Sequence, residues 1–289
     1  MRMIYKDGQA LVDELRESDV APQGVAVWHL GQVAVAVKGP ADAGVVVVDP
    51  YLTYEIEARD PTTEFVREFR PPLEPSGLVG ATAVLVTHNH GDHLDLATLR
   101  PLHDASPETV FVVPAPHVAL LADAGIAPER VRAARDGERL DLGGFVVEPV
   151  AEAHTAYETD ARGDHLYLGY LITVDGVRLY HAGDAVAETR LLERVKAFKP
   201  DIAFLPINGA DYARTSRGIV GNMSGREAVD FAVAVGADLL VPTHYDLFPN
   251  NRDNPAVVVD YLFRTYRAQK FHMMAPGERL LYVKSPVEE

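Results

Sequence analysis

Between Thr87 and Asp95 the chain reads THNHGDHLD, which puts three of its eleven histidines and two aspartates within nine positions. Imidazole and carboxylate together are ligands for zinc, manganese or iron. Composition alone would produce His-x-His-x-Asp-His in about two of a thousand chains of this make-up. His88 and His90 lie two residues apart at the end of an apolar run, and in extended backbone such residues project to the same side. Both rings can then reach one ion. Gly91 permits a sharp turn, and Asp92 and His93 follow where a helix is expected to begin, aimed at a second ion. Three more candidates each come just after an apolar strand pattern: His154 in VEPVAEAHTA, Asp184 in LYHAGDAV and His244 in LLVPTHYD. Open α/β sheets gather their reactive residues at the carboxyl ends of strands, so five histidines and two aspartates are placed to converge on one rim. Cations held there would bring the pKa of water from about 15.7 toward ~7 and draw charge from a carbonyl or phosphoryl oxygen. The chemistry this points to is hydrolysis.

The elements that must hold these residues are read from periodicity. Residues 9–18 form a helical pattern with Leu11, Val12 and Leu15 on one face. Strand patterns fall at 24–30, 32–37, 44–49, 82–87, 109–113, 144–150, 166–174, 177–181, 201–206, 238–242 and 279–284. Helical patterns lie at 93–103, 116–124, 187–198, 225–236 and 255–269, and Ser224 with Glu227 has capping-box spacing. The interleaving predicts one α/β domain over 1–289. Segment 54–78, with Pro61, Pro71, Pro72 and Pro75, reads as a long loop of the kind that serves as a lid, and 285–289 as a loose tail.

At 289 residues, 47% of them apolar, the chain is long enough to bury a sizeable core. Its 42 acidic residues against 27 basic give a formal charge of −15, with no lysine-arginine run. That balance disfavours nucleic acid and anionic membrane as partners. No stretch approaches the length of a membrane span, and the N-terminus lacks the apolar run of a signal peptide. A cytoplasmic protein acting on a small-molecule substrate is expected. With no cysteine, disulfides, thiolate nucleophiles and sulfur ligands are excluded together.

The order His-x-His-x-Asp-His, then a later His, a Gly-Asp pair and a final His, resembles the metallo-β-lactamase superfamily of dinuclear hydrolases. Further segments look like one branch of it, the L-ascorbate-6-phosphate lactonase family: WHLGQ at 28–32, DPYL at 49–52, LPING at 205–209, GNMS at 221–224 and HYDLFPNN at 244–251. The similarity runs from about Trp28 to Pro255. It implies an α/β fold of the αββα type, two mixed sheets face to face with helices outside. It also implies that His88, His90 and His154 hold a first divalent cation, that Asp92, His93 and His244 hold a second, and that Asp184 bridges them. Manganese is the metal it points to, with zinc and iron as the other candidates. Asp92 would orient the attacking water as well as bind metal, and His244 joins it as a catalytic candidate.

Substrate contacts are less sharply marked. GNMS ends at a helix start, where free N–H groups and the helix dipole favour an anion. A substrate phosphate there would be met by Asn208, Asn222 and Arg217. A turn shaped by Gly221 and Asn222, with Ser224 as the cap, fits the same residues equally well. Asp49 reads either as an acceptor that orients a metal-bound histidine or as a turn-opening residue before Pro50. Gln32 lies beside a strand end and is promoted by the resemblance alone. The expected reaction is the opening of an ester, lactone or phosphodiester in a small, anionic, phosphorylated metabolite. The alternatives are a phosphodiesterase acting on cyclic nucleotides or RNA ends, and an iron-dependent oxidoreductase on the same fold.

Overall fold

The computed structural model describes residues 3–284, and the tail expected at 285–289 lies outside them. Short β-branched segments build the first sheet: β1 (Gly24–Gly31), β2 (Ala34–Lys38), β3 (Val45–Val48), β4 (Ala83–Leu85), β5 (Val110–Pro114) and β6 (Val131–Ala134). The second holds β7 (Leu140–Leu142), β8 (Phe145–Ala151), β9 (Leu168–Val174), β10 (Val177–His181), β11 (Ile202–Pro206), β12 (Leu239–Thr243) and β13 (Lys270–Phe271). The last strand, β14 (Arg279–Val283), returns to the first sheet beside β1. The orders are β14-β1-β2-β3-β4-β5-β6 and β13-β12-β11-β10-β9-β8-β7. Both sheets are mixed. Antiparallel pairing gives way to parallel at β3-β4-β5-β6 in one and at β10-β11-β12-β13 in the other.

Alternation along the strands gives each sheet two apolar faces. Val25 and Val27 of β1 meet Phe145, Tyr170, Ile172 and Phe204 in the layer between the sheets. Ala26 and Trp28 point the other way, into the layer covered by α1 (Gly8–Glu17). Past a short α2 (Glu55–Arg59), that cover is completed by α3 (Leu96–Ala105) and α4 (Val118–Asp123). The outer face of the second sheet lies under α5 (Thr189–Phe198), and, after the single turn α6 (Tyr212–Thr215), under α7 (Gly225–Val235) and α8 (Ala256–Thr265). Ser224 and Glu227 form the expected capping box of α7, and Gly236 closes that helix at φ 74°. The chain is thus a helix–sheet–sheet–helix sandwich, as the sequence implies. Among the described residues no helix is long and apolar enough to cross a membrane.

Several boundaries differ from the sequence pattern. β6, β7 and β13 escape it because they are only two to four residues long, too short for a pattern to register. The helix expected at 93–103 starts later, at Leu96, because Asp95 takes the cap position and accepts from the Ala97 N–H at 3.1 Å. The helix expected to run to 269 ends at Thr265. Segment 54–78 is not an unbroken loop: it contains α2 and a tight turn at Pro75–Leu78. Buried Arg67 fixes its middle by donating to the carbonyls of Tyr51, Thr53 and Phe69.

Candidate metal centre

Beyond β4 the backbone holds its ladder one residue further, Val86 N–H bonding to the Val112 carbonyl at 2.9 Å, and then turns. The N–H groups of His93 and Leu94 both return to the His90 carbonyl, at 3.0 and 2.8 Å. His88 and His90 therefore meet through a wrapped loop and not through a strand pleat, with ring centroids 4.6 Å apart. Asp92 and His93 sit in that same turn, not at the helix start the sequence suggests. Gly91 is not in the left-handed region. A Cβ there would meet Ile56 at 3.2 Å, so its missing side chain serves close packing. The other three candidates come from the second sheet, His154 and Asp184 shortly beyond β8 and β10, and His244 directly after β12. Gly183, at φ +60°, lets the Asp184 loop rest on Thr87, whose Oγ1 would lie 2.7 Å from any Cβ placed there.

Two sets of donors result: His88, His90, His154 and Asp184, and Asp92, His93 and His244, with the atoms of each set within 4.8 Å of one another. Asp184 lies between them. Its Oδ1 is 3.4 Å from His93 Nε2, and its Oδ2 is 3.5 Å from His244 Nε2 and 3.7 Å from His154 Nε2. Asp92 Oδ2 stands 3.7 Å from His93 Nε2 and 3.8 Å from His244 Nε2. These spacings are too long for good hydrogen bonds. Two donors ~2.1 Å from one tetrahedral ion would lie about 3.4 Å apart, so the spacing fits donors that share a cation.

The buried polar atoms make the same case. Asp49, fully buried at the end of β3, accepts from Thr87 N–H at 2.7 Å and Thr87 Oγ1 at 2.6 Å, and from His93 Nδ1 at 2.7 Å. Because the Thr87 proton goes to Asp49, His88 Nδ1, 3.0 Å from Thr87 Oγ1, is the donor in that contact. Both rings then carry a proton on Nδ1 and turn Nε2 into the site. His88 Nε2, His93 Nε2 and Asp184 Oδ1 are all buried without a hydrogen-bond partner. Buried polar atoms are rarely left so. Cations at this point would satisfy all three, and the donor set fits them.

Charge is arranged unevenly. Burial drives the imidazoles of His88 and His154 below the usual histidine range, so both stay neutral. Burial pushes His93 and His244 the same way, but the carboxylates of Asp184 and Asp92 override it and raise both. For Asp184 burial pulls upward, and His244 and His93 overcome it, holding the carboxyl well below the ordinary range.

Gln32 ties the second set together. Its Nε2 donates to Asp92 Oδ2 at 2.8 Å and lies 3.1 Å from His244 Nε2, while its carbonyl accepts from the His244 N–H at 2.8 Å. Asp246 holds Gln32 in turn, accepting from its N–H at 2.9 Å and pairing with His29 Nε2 at 2.7 Å. Gln32, Asp49 and His244 all have left-handed backbone, φ +59°, +46° and +60°. For side-chain-bearing residues this costs ~1–2 kcal/mol each, so strain concentrates around the site. His29 and Asp246 were not marked as candidates by sequence, since 217 positions separate them and only folding joins them.

The expected substrate contacts fall elsewhere. Asn208 and Asn222 are buried in an amide chain, Asn222 Nδ2 to Asn208 Oδ1 at 3.0 Å and Asn208 Nδ2 to Asn251 Oδ1 at 3.1 Å. Only Asn251 of the three lines the cavity over the centre. Arg217 is turned to Glu64, 3.4 Å away. His181, at the end of β10, is a satisfied core residue, bonded to the Val33 carbonyl at 2.8 Å and the Gly183 N–H at 3.1 Å.

A family model described as "Beta-lactamase superfamily domain" matches residues 45–245, the span that carries every candidate ligand. The chain belongs to the β-lactamase superfamily. A metal-dependent hydrolase of Methanoculleus marisnigri is 30% identical over 220 residues, covering 75% of this chain and 86% of its own length. A probable L-ascorbate-6-phosphate lactonase of Escherichia coli is 22% identical over 284 residues, covering 86% of this chain and 77% of that one. Among solved structures, a metallo hydrolase of Ignicoccus hospitalis superposes with a TM-score of 0.65 at 20% identity, covering 91% of this chain and 100% of that one. The fold is shared across all of that neighbour.

Proposed function

We propose that this member of the superfamily is a metal-dependent hydrolase that opens an ester or lactone bond in a small molecule, using two divalent cations. The observation that carries the reading is the convergence of seven side chains with buried, unpaired donor atoms at His88, His93 and Asp184. His88, His90 and His154 would hold one cation, Asp92, His93 and His244 the other, and Asp184 both. Manganese and zinc suit this donor set, and iron is compatible with it. Bound there, the cations supply Lewis acidity, making water acidic near neutrality and drawing charge from the oxygen under attack.

The chain's own groups do the positioning. Asp92 lines the cavity and is anchored through Oδ2 by Gln32, so its carboxylate is set to orient the attacking water and take its proton. Asp49 keeps the His93 proton on Nδ1 and thereby keeps Nε2 free. The cavity, about 310 Å³, lies at the small end of the ~300–1,000 Å³ usual for ligand sites, which favours a metabolite over a polymer. A phosphodiester of similar size is the second reading, since the same donor set serves phosphoryl transfer. The test is turnover by protein loaded with manganese or zinc against matched lactones, aryl esters and bis-p-nitrophenyl phosphate. Lactone or ester turnover lost in Asp184→Ala is expected. Turnover of the phosphodiester alone would replace the first reading with the second.

A further inference from the structure

We propose that the cavity over the metal centre selects a neutral, alkyl-bearing ester or lactone and discriminates against a phosphorylated one, an inference that rests on the hydrolytic reading above. Apart from the candidate ligands, the wall is formed chiefly by Ile56, Phe65, Ile219, Val220, Phe248 and Asn251. Among the described residues no lysine or arginine lines it.

The arginines of the surrounding segments each face another protein group. Arg217 faces Glu64 at 3.4 Å, and Arg252 pairs with Glu68. Arg214 bonds Asp211 at 2.5 Å and the Asn208 carbonyl at 2.7 Å. Arg67 is buried over the Tyr51 ring, 4.6 Å from its centroid. Arg59 borders a neighbouring depression and lies 3.8 Å from Glu55. The helix start where the sequence suggests a phosphate already carries a carboxylate. Glu227 Oε2 accepts from the Ser224 N–H at 2.8 Å, and Ser224 Oγ accepts from the Glu227 N–H at 3.3 Å. A carboxylate on that terminus repels a second anion.

The cations' attraction for an anion acts at the reacting group, while the far end of the substrate meets the apolar wall. A phosphate there would be desolvated without a partner, whereas an alkyl chain gains from the same burial. Asn251 is the uncharged polar group on that wall. Its Oδ1 is held by Asn208, which leaves Nδ2 as the donor on offer to a neutral oxygen of the substrate.

The test uses metal-loaded protein and two substrate series. In γ-lactones from five to eight carbons, kcat/KM is expected to rise about fourfold per methylene. Between glucono-δ-lactone and its 6-phosphate, the phosphate is expected to lower kcat/KM about tenfold or more. Val220→Lys, at a partly exposed position on the wall, should narrow that gap by raising turnover of the phosphorylated lactone. A wild-type preference for the phosphorylated lactone, or no dependence on chain length, would overturn the inference and leave the hydrolase reading intact. A readout without turnover is saturation-transfer NMR with γ-octalactam. Saturation of the alkyl tail, weakened in Val220→Lys, supports the inference, and its absence overturns it even if lactones are hydrolysed. Lactam binding with no ester or lactone turnover would instead remove the hydrolytic reading and leave the selectivity of the wall standing.

Discussion

Replacing Asp49 with asparagine keeps the shape of a buried side chain and removes its charge. Asp49 accepts three hydrogen bonds at 2.6–2.7 Å, from Thr87 N–H, Thr87 Oγ1 and His93 Nδ1. The amide oxygen of asparagine can keep the Thr87 N–H. Its NH2 must then face His93 Nδ1 and Thr87 Oγ1, where the native residue presented an acceptor. His93 escapes that clash of donors by moving its proton to Nε2, the atom that would face the cation. Loss of such an orienting group typically costs ~10–100-fold in metal affinity, which is about 1.4–2.8 kcal/mol. A competition titration against a chromophoric chelator reads this directly, with one of two cations weakened more than the other. Two charge-assisted hydrogen bonds are lost as well, at ~1.5–3 kcal/mol each, so denaturant unfolding of the metal-free variant must be run beside it. A folded Asp49→Asn protein that binds both cations within about twofold of the native affinity would refute the tautomer argument.

Other outcomes follow from the same structure. Gln32→Gly removes the amide that bridges Asp92 and His244 but relaxes a residue held at φ +59°. Turnover should fall about tenfold or more while unfolding free energy stays within ~1 kcal/mol of native. Phe145→Ala opens a cavity between the sheets, where Phe145 is fully buried, and should cost ~3–5 kcal/mol in urea unfolding. Burial would raise the carboxyl of Glu14, but bonds from Lys6 at 2.5 Å and from Trp28 Nε1 at 3.1 Å outweigh it and set it below the ordinary value of 4.5. A depressed acid stabilises the fold above its unfolded pKa and loses that contribution as pH falls through the folded value. Glu14→Gln should therefore cost ~1 kcal/mol at neutral pH and flatten the acid limb below pH 4.5. Fluorescence of Trp28, the one tryptophan of the chain, reports it.

The site was legible where its chemistry was local. His88, His90, Asp92 and His93 announce themselves by residue type and spacing, and His154, Asp184 and His244 by following strand patterns. The αββα sandwich was legible through the resemblance and through the long apolar strands. What failed needed competition or distance to decide it. Asp92 and Asp95 are both capable of capping a helix, and only packing chose Asp95, which moved Asp92 and His93 into a turn. At GNMS the sequence offered a phosphate site and a capping box on the same residues, and the structure shows the capping box of Ser224 and Glu227. The apolar wall was invisible in sequence because Ile56, Phe65, Ile219 and Phe248 come from separate segments that meet only in the folded chain. The His29–Asp246 pair behind Gln32 was hidden for the same reason.

Two cations are expected within one cluster of seven side chains. Anomalous diffraction from crystals grown with manganese or zinc, with metal content measured by plasma mass spectrometry, tests it most directly. About two ions per chain are expected, one among His88, His90 and His154 and one among Asp92, His93 and His244, with Asp184 between them and both reduced in Asp184→Ala. Protein that binds no metal there, or a single ion indifferent to Asp184→Ala, would contradict it.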